Sequence, residues 1–194
     1  MGVKSIERMI EERLKENPIN VEELDLKEKV VEIRRTTRVV EGGRRFSFST
    51  LAIVGDGKGH VGFGHGKANE VPQSIAKAIA DAKKHIIKVP LIDGTLPHDV
   101  IGRYESAVVL LKPARRGTGV VAGGPVRPVL EMLGVSDILS KIIGRTTNPN
   151  NVVRAVFDAL LQIRAPEEVA KIRGVEEEKI LKNYKIYANS PVVE

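Results

Sequence analysis

The chain has no cysteine and no tryptophan. Disulfides and thiolate metal sites are therefore excluded, and a reducing compartment fits. Aromatic residues make up only 4% of the 194 residues, so the core must be aliphatic. No apolar run approaches the roughly 20 residues a membrane-spanning helix needs. The start Met1-Gly2-Val3-Lys4-Ser5-Ile6 has neither the hydroxyl residue of a myristoylation signal nor the apolar stretch of a secretory one. We read the chain as cytoplasmic, with no membrane partner.

Catalytic signatures are equally scarce. His60, His65, His85 and His98 do not fall at metal-ligand spacing, and no paired carboxylates suggest acid–base work. Ser47 and Ser49 lack a nucleophile elbow. Gly57-Lys58-Gly59-His60-Val61-Gly62 has the letters of a dinucleotide fingerprint. That motif must lead from a strand into a helix, and here a strand follows. We therefore expect no catalytic residues, no metal and no cofactor.

What the chain does have is positive charge in one place. Lys and Arg exceed Asp and Glu by 31 to 25. Residues 1–27 are net −2, residues 28–92 net +6, residues 93–165 net +3 and residues 166–194 net −1. Concentrated charge points to a polyanion partner, against the alternative of a merely solvated face. Five arginines fall within twelve residues: Arg34, Arg35, Arg38, Arg44 and Arg45. They flank Gly42-Gly43 and run into Phe46-Ser47-Phe48. Cations offset phosphate charge, glycine permits close backbone approach, and exposed rings stack on unpaired bases. Lys58 and Lys67, in the glycine-dense hairpin that follows, are second candidates. A later candidate is Pro113-Ala114-Arg115-Arg116-Gly117-Thr118-Gly119, where successive N–H groups of glycine turns would cradle an anion beside Arg115 and Arg116.

Periodicity outlines the fold. Ile6, Ile10 and Leu14 predict a short helix in a charged extension over residues 1–27. Residues 28–92 read as a βββα unit. A strand runs up to Val40, a second from Phe46 to Val54, and a third from His60 to Gly64. A helix capped by Asn69 or Glu70 follows, with Pro72 in its first turn. Ile75, Ile79, Ala82 and Ile86 are its expected buried stripe, with Lys83, Lys84 and Lys88 late in it. Residues 90–97 read as a linker. In residues 93–165 we expect a strand from Tyr104 to Leu111, a glycine-rich loop, and a helix from Val126 to Leu133 stopped by Gly134. A short strand or helical turn over Ile138 to Ile143 and a helix from Asn151 to Ile163 complete this unit. Val153, Phe157, Leu160 and Leu161 should face inward on that last helix. Residues 166–194 form a charged tail with two helical stretches around Gly174. Val61-Gly62-Phe63-Gly64-His65 faintly echoes an RNA-recognition strand, with Phe63 as core the alternative.

Several long motifs occur in one order. They include Gly42-Gly43-Arg44-Arg45-Phe46-Ser47-Phe48, Val54-Gly55-Asp56-Gly57, Gly94-Thr95-Leu96-Pro97-His98, Gly117-Thr118-Gly119-Val120-Val121-Ala122-Gly123-Gly124 and Asn148-Pro149-Asn150-Asn151-Val152-Val153-Arg154-Ala155. Together they make the chain resemble the bacterial type of the small-subunit ribosomal protein five family, over roughly residues 28–165. Glu41 departs from the cation or neutral residue usual there. The resemblance implies an α+β fold, with a double-stranded-RNA-binding-domain-like first half and a split β-α-β second half. It implies a ribosomal, non-enzymatic role in which the Gly42–Phe48 loop meets 16S rRNA near the head–body junction. It further implies ribosomal proteins four and eight as neighbours, messenger RNA at the entry side, and support of accuracy and messenger unwinding. A free double-stranded-RNA-binding regulator is the alternative.

Overall fold

A computed structural model describes residues 6–16, 24–176 and 179–180. The chain divides into two compact units between Lys88 and Val89. The α+β class expected from the sequence is what both units build.

In the first unit, α1 (Ile6–Glu16) precedes a four-stranded antiparallel sheet ordered β1-β2-β3-β4. Its strands are β1 (Lys27–Val40), β2 (Gly43–Gly55), β3 (His60–Ala68) and β4 (Ile86–Lys88), with helix α2 (Val71–Ala82) between the last two. Ile6 and Ile10 of α1 are buried. The fourth strand corrects the sequence reading. Ile86 and Lys88 belong to β4, and Lys83 and Lys84 to a 3-10 turn, because the helix stops at Ala82. Lys83 ties this turn to β1 by an ion pair with Glu28 at 3.2 Å. The third strand also runs four residues further than expected, to Ala68.

The buried stripe of α2 is not the isoleucine one. Ser74, Ala78 and Ala82 are fully covered, whereas Ile75 and Ile79 flank them half-buried. Small side chains are required because three glycines of β3 face them. A Cβ on Gly62 would lie 2.5 Å from the Ala82 carbonyl oxygen, and one on Gly66 2.2 Å from that of Ser74. On Gly64 it would lie 2.2 Å from both the Ala78 oxygen and the Ala82 nitrogen. The glycines thus bring helix backbone down onto strand backbone, and the Thr50 and Ser74 hydroxyls meet beneath at 2.8 Å. Val54, Ala82 and Ile86 close the core beside them. Glu70 is the N-cap residue, not Asn69, and its side chain makes no cap bond; it accepts from Gln73 instead.

The β2–β3 turn is organised by Asp56. Its Oδ1 accepts the N–H groups of Lys58 (2.7 Å) and His60 (3.0 Å), and its Oδ2 lies 2.6 Å from His60 Nδ1. Burial pushes the carboxyl pKa up, but the Lys58 N–H and the two His60 contacts outweigh it and hold it below 3.8. A depressed folded pKa stabilises the ionised form. That stability is present above the unfolded value and is lost as pH falls through the folded one. We expect Asp56→Asn to destabilise the first unit at neutral pH, with the gap to wild type closing on acidification below 3.8. Urea unfolding at a series of pH values checks this, and a gap independent of pH would refute it.

In the second unit the mixed sheet is ordered β5-β6-β8-β7. Its strands are β5 (Val100–Tyr104), β6 (Ala107–Pro113), β7 (Val120–Val121) and β8 (Ile138–Ile142), with α3 (Val126–Leu133) linking the parallel pair β7 and β8. Then come α4 (Pro149–Gln162) and α5 (Pro166–Arg173). α3 ends at Gly134, whose φ of 89° is the left-handed conformation of a helix stop. The single strand expected from Tyr104 to Leu111 is instead a hairpin of β5 and β6. Its turn carries no glycine, and Glu105 itself takes a φ of 50°. Ile138 to Ile142 resolves as a strand. On α4, Val153, Phe157 and Leu160 are fully buried and Leu161 is half-buried. Gly102 repeats the device of the first unit: its Cβ would lie 1.9 Å from the Ala155 oxygen of α4. Most of the second helical stretch expected after Gly174 lies outside the described residues.

Candidate nucleic-acid interface

β1 and β2 are much longer than their neighbours, and that difference makes the site. Their pairing runs from Lys27↔Gly55 to Val40↔Gly43. β3 pairs with β2 only as far as Phe48↔Ala68. Residues 36–47 therefore project as a two-stranded ribbon, roughly 17–20 Å long at about 3.3 Å per residue. The turn at its tip is Glu41-Gly42, one residue earlier than the Gly42-Gly43 expected. Gly43 already pairs with Val40, and Gly42 takes the left-handed φ of 87°.

Register decides which side chains stand together. Facing residues of an antiparallel pair share a face, and faces alternate along each strand. One face carries Arg34 opposite Ser49, Thr36 opposite Ser47, and Arg38 opposite Arg45. Ser49 in turn faces Lys67 of β3, so Arg34, Ser49 and Lys67 form one row across three strands. The other face carries Arg35 opposite Phe48, Thr37 opposite Phe46, and Val39 opposite Arg44. The five arginines are thus split three and two. A bulge sets this division: Val30 pairs with Ala52 but Glu32 with Leu51, leaving Val31 extra. Had the Val30 register continued, Arg34 and Arg38 would stand on the phenylalanine face.

The electrostatics are unbalanced. Arg34 is held by Glu32 at 2.7 Å. Among the described residues no acidic side chain pairs with Arg38, Arg44 or Arg45. Arg38 and Arg45 face each other directly, an arrangement that costs stability in isolation and is relieved by a polyanion. Thr36 donates to the Ser47 carbonyl at 3.1 Å and stiffens the ribbon. The Arg35 guanidinium lies 3.9 Å over the Phe46 ring, which stays 44% exposed. Ser49 Oγ and His65 Nε2 meet at 2.7 Å beside Lys67, a contact the sequence did not signal.

The remaining candidates lie elsewhere. Lys58 is exposed in the β2–β3 turn, at the opposite end of β2 from the ribbon tip. Gly62 is packed against α2, and the Gly57–Gly62 stretch leads into β3 and not into a helix, so the dinucleotide-type phosphate cradle is not formed there. Phe63 is buried core, not an exposed ring. Arg115 and Arg116 are exposed in the second unit on a loop tied down from within. The Thr118 N–H donates to the Arg115 carbonyl (3.1 Å), and the Gly119 N–H to Asp137 Oδ1 (2.8 Å). The Ala114 N–H donates to Thr95 Oγ1 (3.3 Å). The N–H groups of Ala114, Thr118 and Gly119 are thereby occupied, which narrows the expected anion nest to Arg115, Arg116 and Gly117, where the two arginine side chains are exposed.

Thr95 is the keystone of that loop. It sits in the segment read as a linker, yet it is buried, and its hydroxyl also donates to the Asp137 carbonyl at 2.6 Å. Thr95→Val would leave a buried carbonyl and a buried N–H without their partner. We expect a loss of about 1–3 kcal/mol, read by denaturant unfolding, with faster amide exchange at Ala114. A change below about 0.5 kcal/mol, the range of surface substitutions, would refute the assignment.

Among the described residues no cluster of three or more His, Cys, Asp or Glu could hold a metal, and no helix is long and apolar enough to cross a membrane. Comparison with known proteins adds the following. Residues 26–90 match the family model "Ribosomal protein S5, N-terminal domain", and residues 102–173 match "Ribosomal protein S5, C-terminal domain". The chain is 83% identical over 193 residues to the small ribosomal subunit protein uS5 of Persephonella marina, covering 100% of both chains. It is 79% identical to that of a Sulfurihydrogenibium species, covering 97% of each. With that of Aquifex aeolicus it shares 59% identity, over 97% of this chain and 91% of the relative.

Proposed function

The chain belongs to the ribosomal protein S5 family, and from that premise we propose that it is a non-catalytic constituent of the small ribosomal subunit that grips 16S rRNA with the β1–β2 ribbon. One observation carries the ribbon's part in this: five arginines, two of them directly opposed, stand on strands that project beyond the sheet that anchors them. A structural element has no use for such charge. A phosphate backbone does, because each cation that meets a phosphate releases a counterion. Arg34, Arg35, Arg38, Arg44 and Arg45 are the phosphate contacts, with Gly42 and Gly43 allowing close approach and Lys67 extending the row. Ser47, Phe46 and Phe48 complete the ribbon surface. Lys58, and Arg115 and Arg116 of the second unit, are separate, weaker contacts.

Family membership supports a finer placement in the cytoplasmic ribosome. The protein sits near the messenger entry and the head–body junction, beside small-subunit proteins four and eight. There it supports decoding accuracy and messenger unwinding.

The test is binding to full-length 16S rRNA across a salt series, with generic duplex RNA as competitor. Tight binding that survives excess competitor is expected. Equal binding to both, lost together as salt rises, would mean a generic duplex binder, a free regulator in place of a subunit component. Arg44→Ala with Arg45→Ala removes one cation from each face and should cost a few kcal/mol at most, from about 1–3 kcal/mol per charged hydrogen bond. Unchanged affinity in that double variant would take the ribbon out of the interface.

A further inference from the structure

The ribbon's two faces differ in kind, not only in orientation. Thr36, Ser47 and Ser49 surround the arginines of one face, with Lys67 at its root. On the projecting ribbon that face has hydroxyls and cations and no phenylalanine; the His65 imidazole meets Ser49 Oγ at its root, 2.7 Å away. Glu32 holds Arg34, so its open charge is Arg38, Arg45 and Lys67. The opposite face carries Phe46, Phe48 and Val39, and Val39 is 77% exposed.

We infer that the two faces divide the work of RNA binding: the hydroxyl face neutralises backbone phosphates, while the phenylalanine face stacks an unpaired base on the Arg35–Phe46 platform. This rests on the rRNA-binding reading above and deepens it. The Arg35 guanidinium carbon lies 3.9 Å from the centre of the Phe46 ring, so a planar cation and a planar ring stand together on this face. Unpaired bases stack on such surfaces, whereas the bases of a duplex are closed off in their own stack. Thr37, opposite Phe46, is too small to shield the ring. Arg44, opposite Val39 on the same face, is the further cation there available to the phosphate of the stacked nucleotide. The occupant is therefore a looped-out or single-stranded nucleotide.

Salt dependence separates the two roles. In titrations of the full chain against 16S rRNA over a KCl series, Arg38→Gln with Arg45→Gln should flatten the slope of log K against log salt by about 1.4–1.8, from ~0.7–0.9 per phosphate contact. Phe46→Leu should weaken binding about 5- to 150-fold at every salt concentration and leave the slope unchanged. Phe46→Tyr, which keeps the ring, should bind like wild type. Arg35→Lys keeps the charge but loses the plane, and should lower affinity at constant slope. Phe46 is on the projecting part of the ribbon, so thermal unfolding should be nearly unchanged in these variants.

If Phe46→Leu alters the slope as much as the arginine pair, or the arginine pair loses affinity at constant slope, the division is wrong. A Phe46→Leu protein with wild-type affinity for free 16S rRNA would overturn the base site and leave that face to a protein neighbour. Failure of the wild-type chain to prefer 16S rRNA over duplex competitor would instead sink the reading beneath, so the two failures are distinct.

Discussion

Gly64→Ala is expected to unfold the first unit, or to destabilise it by at least ~3 kcal/mol, the upper end of ordinary overpacking. The added Cβ would sit 2.2 Å from the Ala78 carbonyl oxygen and from the Ala82 nitrogen. Both are helix backbone, so no side chain can rotate away. The clash is relieved only by lifting α2 from β3 by more than an ångström. That lift breaks the Thr50–Ser74 contact and opens the core at Val54, Ala82 and Ile86. A unit spanning Met1–Lys88 has roughly 4–13 kcal/mol of net stability at about 0.05–0.15 per residue, so such a loss is a large part of it. Gly57→Ala is the control. Gly57 has the left-handed φ of 69° but nothing within 4 Å, so alanine there meets conformational strain alone, about 1–2 kcal/mol. Circular dichroism and urea unfolding of the two variants decide the matter. If Gly64→Ala is no worse than Gly57→Ala, the glycines of β3 are not packing residues.

That pair of glycines also shows where sequence reasoning ends. Gly57, Gly62 and Gly64 look alike in a string of letters. One serves a turn and two serve a helix that starts only at Val71. The glycine-dense hairpin suggested a flexible RNA-seeking segment, yet most of its glycines are spent inside the first unit. Elements with strong local punctuation were legible. Examples are α3 with Gly134 at its end, and α4 with Asn148 accepting from the Asn150 N–H beside Pro149. The β5–β6 hairpin was not, because Glu105 makes the turn with no residue that advertises one. The small stripe of α2 was missed for a related reason. Isoleucines are read as core by their hydrophobicity, but the closest approach is set by what lies opposite.

The site was legible as a composition and not as a surface. Five arginines in twelve residues are visible without coordinates. Their division between faces depends on one extra residue at Val31, which no local pattern marks. Likewise the loop bearing Arg115 and Arg116 looked like an anion nest. The N–H groups at its two ends, of Ala114 and Gly119, are committed to Thr95 and Asp137, residues about 20 positions away on either side.

Replacing Arg34, Arg35, Arg38, Arg44 and Arg45 together by Gln should abolish most of the salt-sensitive affinity for 16S rRNA while leaving the stability of the fold nearly unchanged. Each phosphate contact contributes ~0.7–0.9 to the slope of log K against log salt. Over a fourfold rise in salt the wild-type chain should therefore lose roughly 20- to 150-fold more affinity than the variant, taking three to four contacts with Arg35 committed to Phe46. The lower figure applies if Arg34 stays engaged with Glu32. Stability should change little. Relief of the opposed Arg38 and Arg45, a like-charge pair worth about 0.2–1 kcal/mol, offsets loss of the Arg34–Glu32 ion pair and the Arg35–Phe46 contact, which are of similar size. A large loss of affinity at nearly constant stability is the test, read by rRNA titration and thermal unfolding of the same preparation. Arginines that held the ribbon together would cost stability when removed, and affinity would fall only as the fold did. Arginines kept for a polyanion leave a folded protein that no longer binds. If affinity and stability fall in proportion, the ribbon is scaffold, and the rRNA contact must be sought in the second unit.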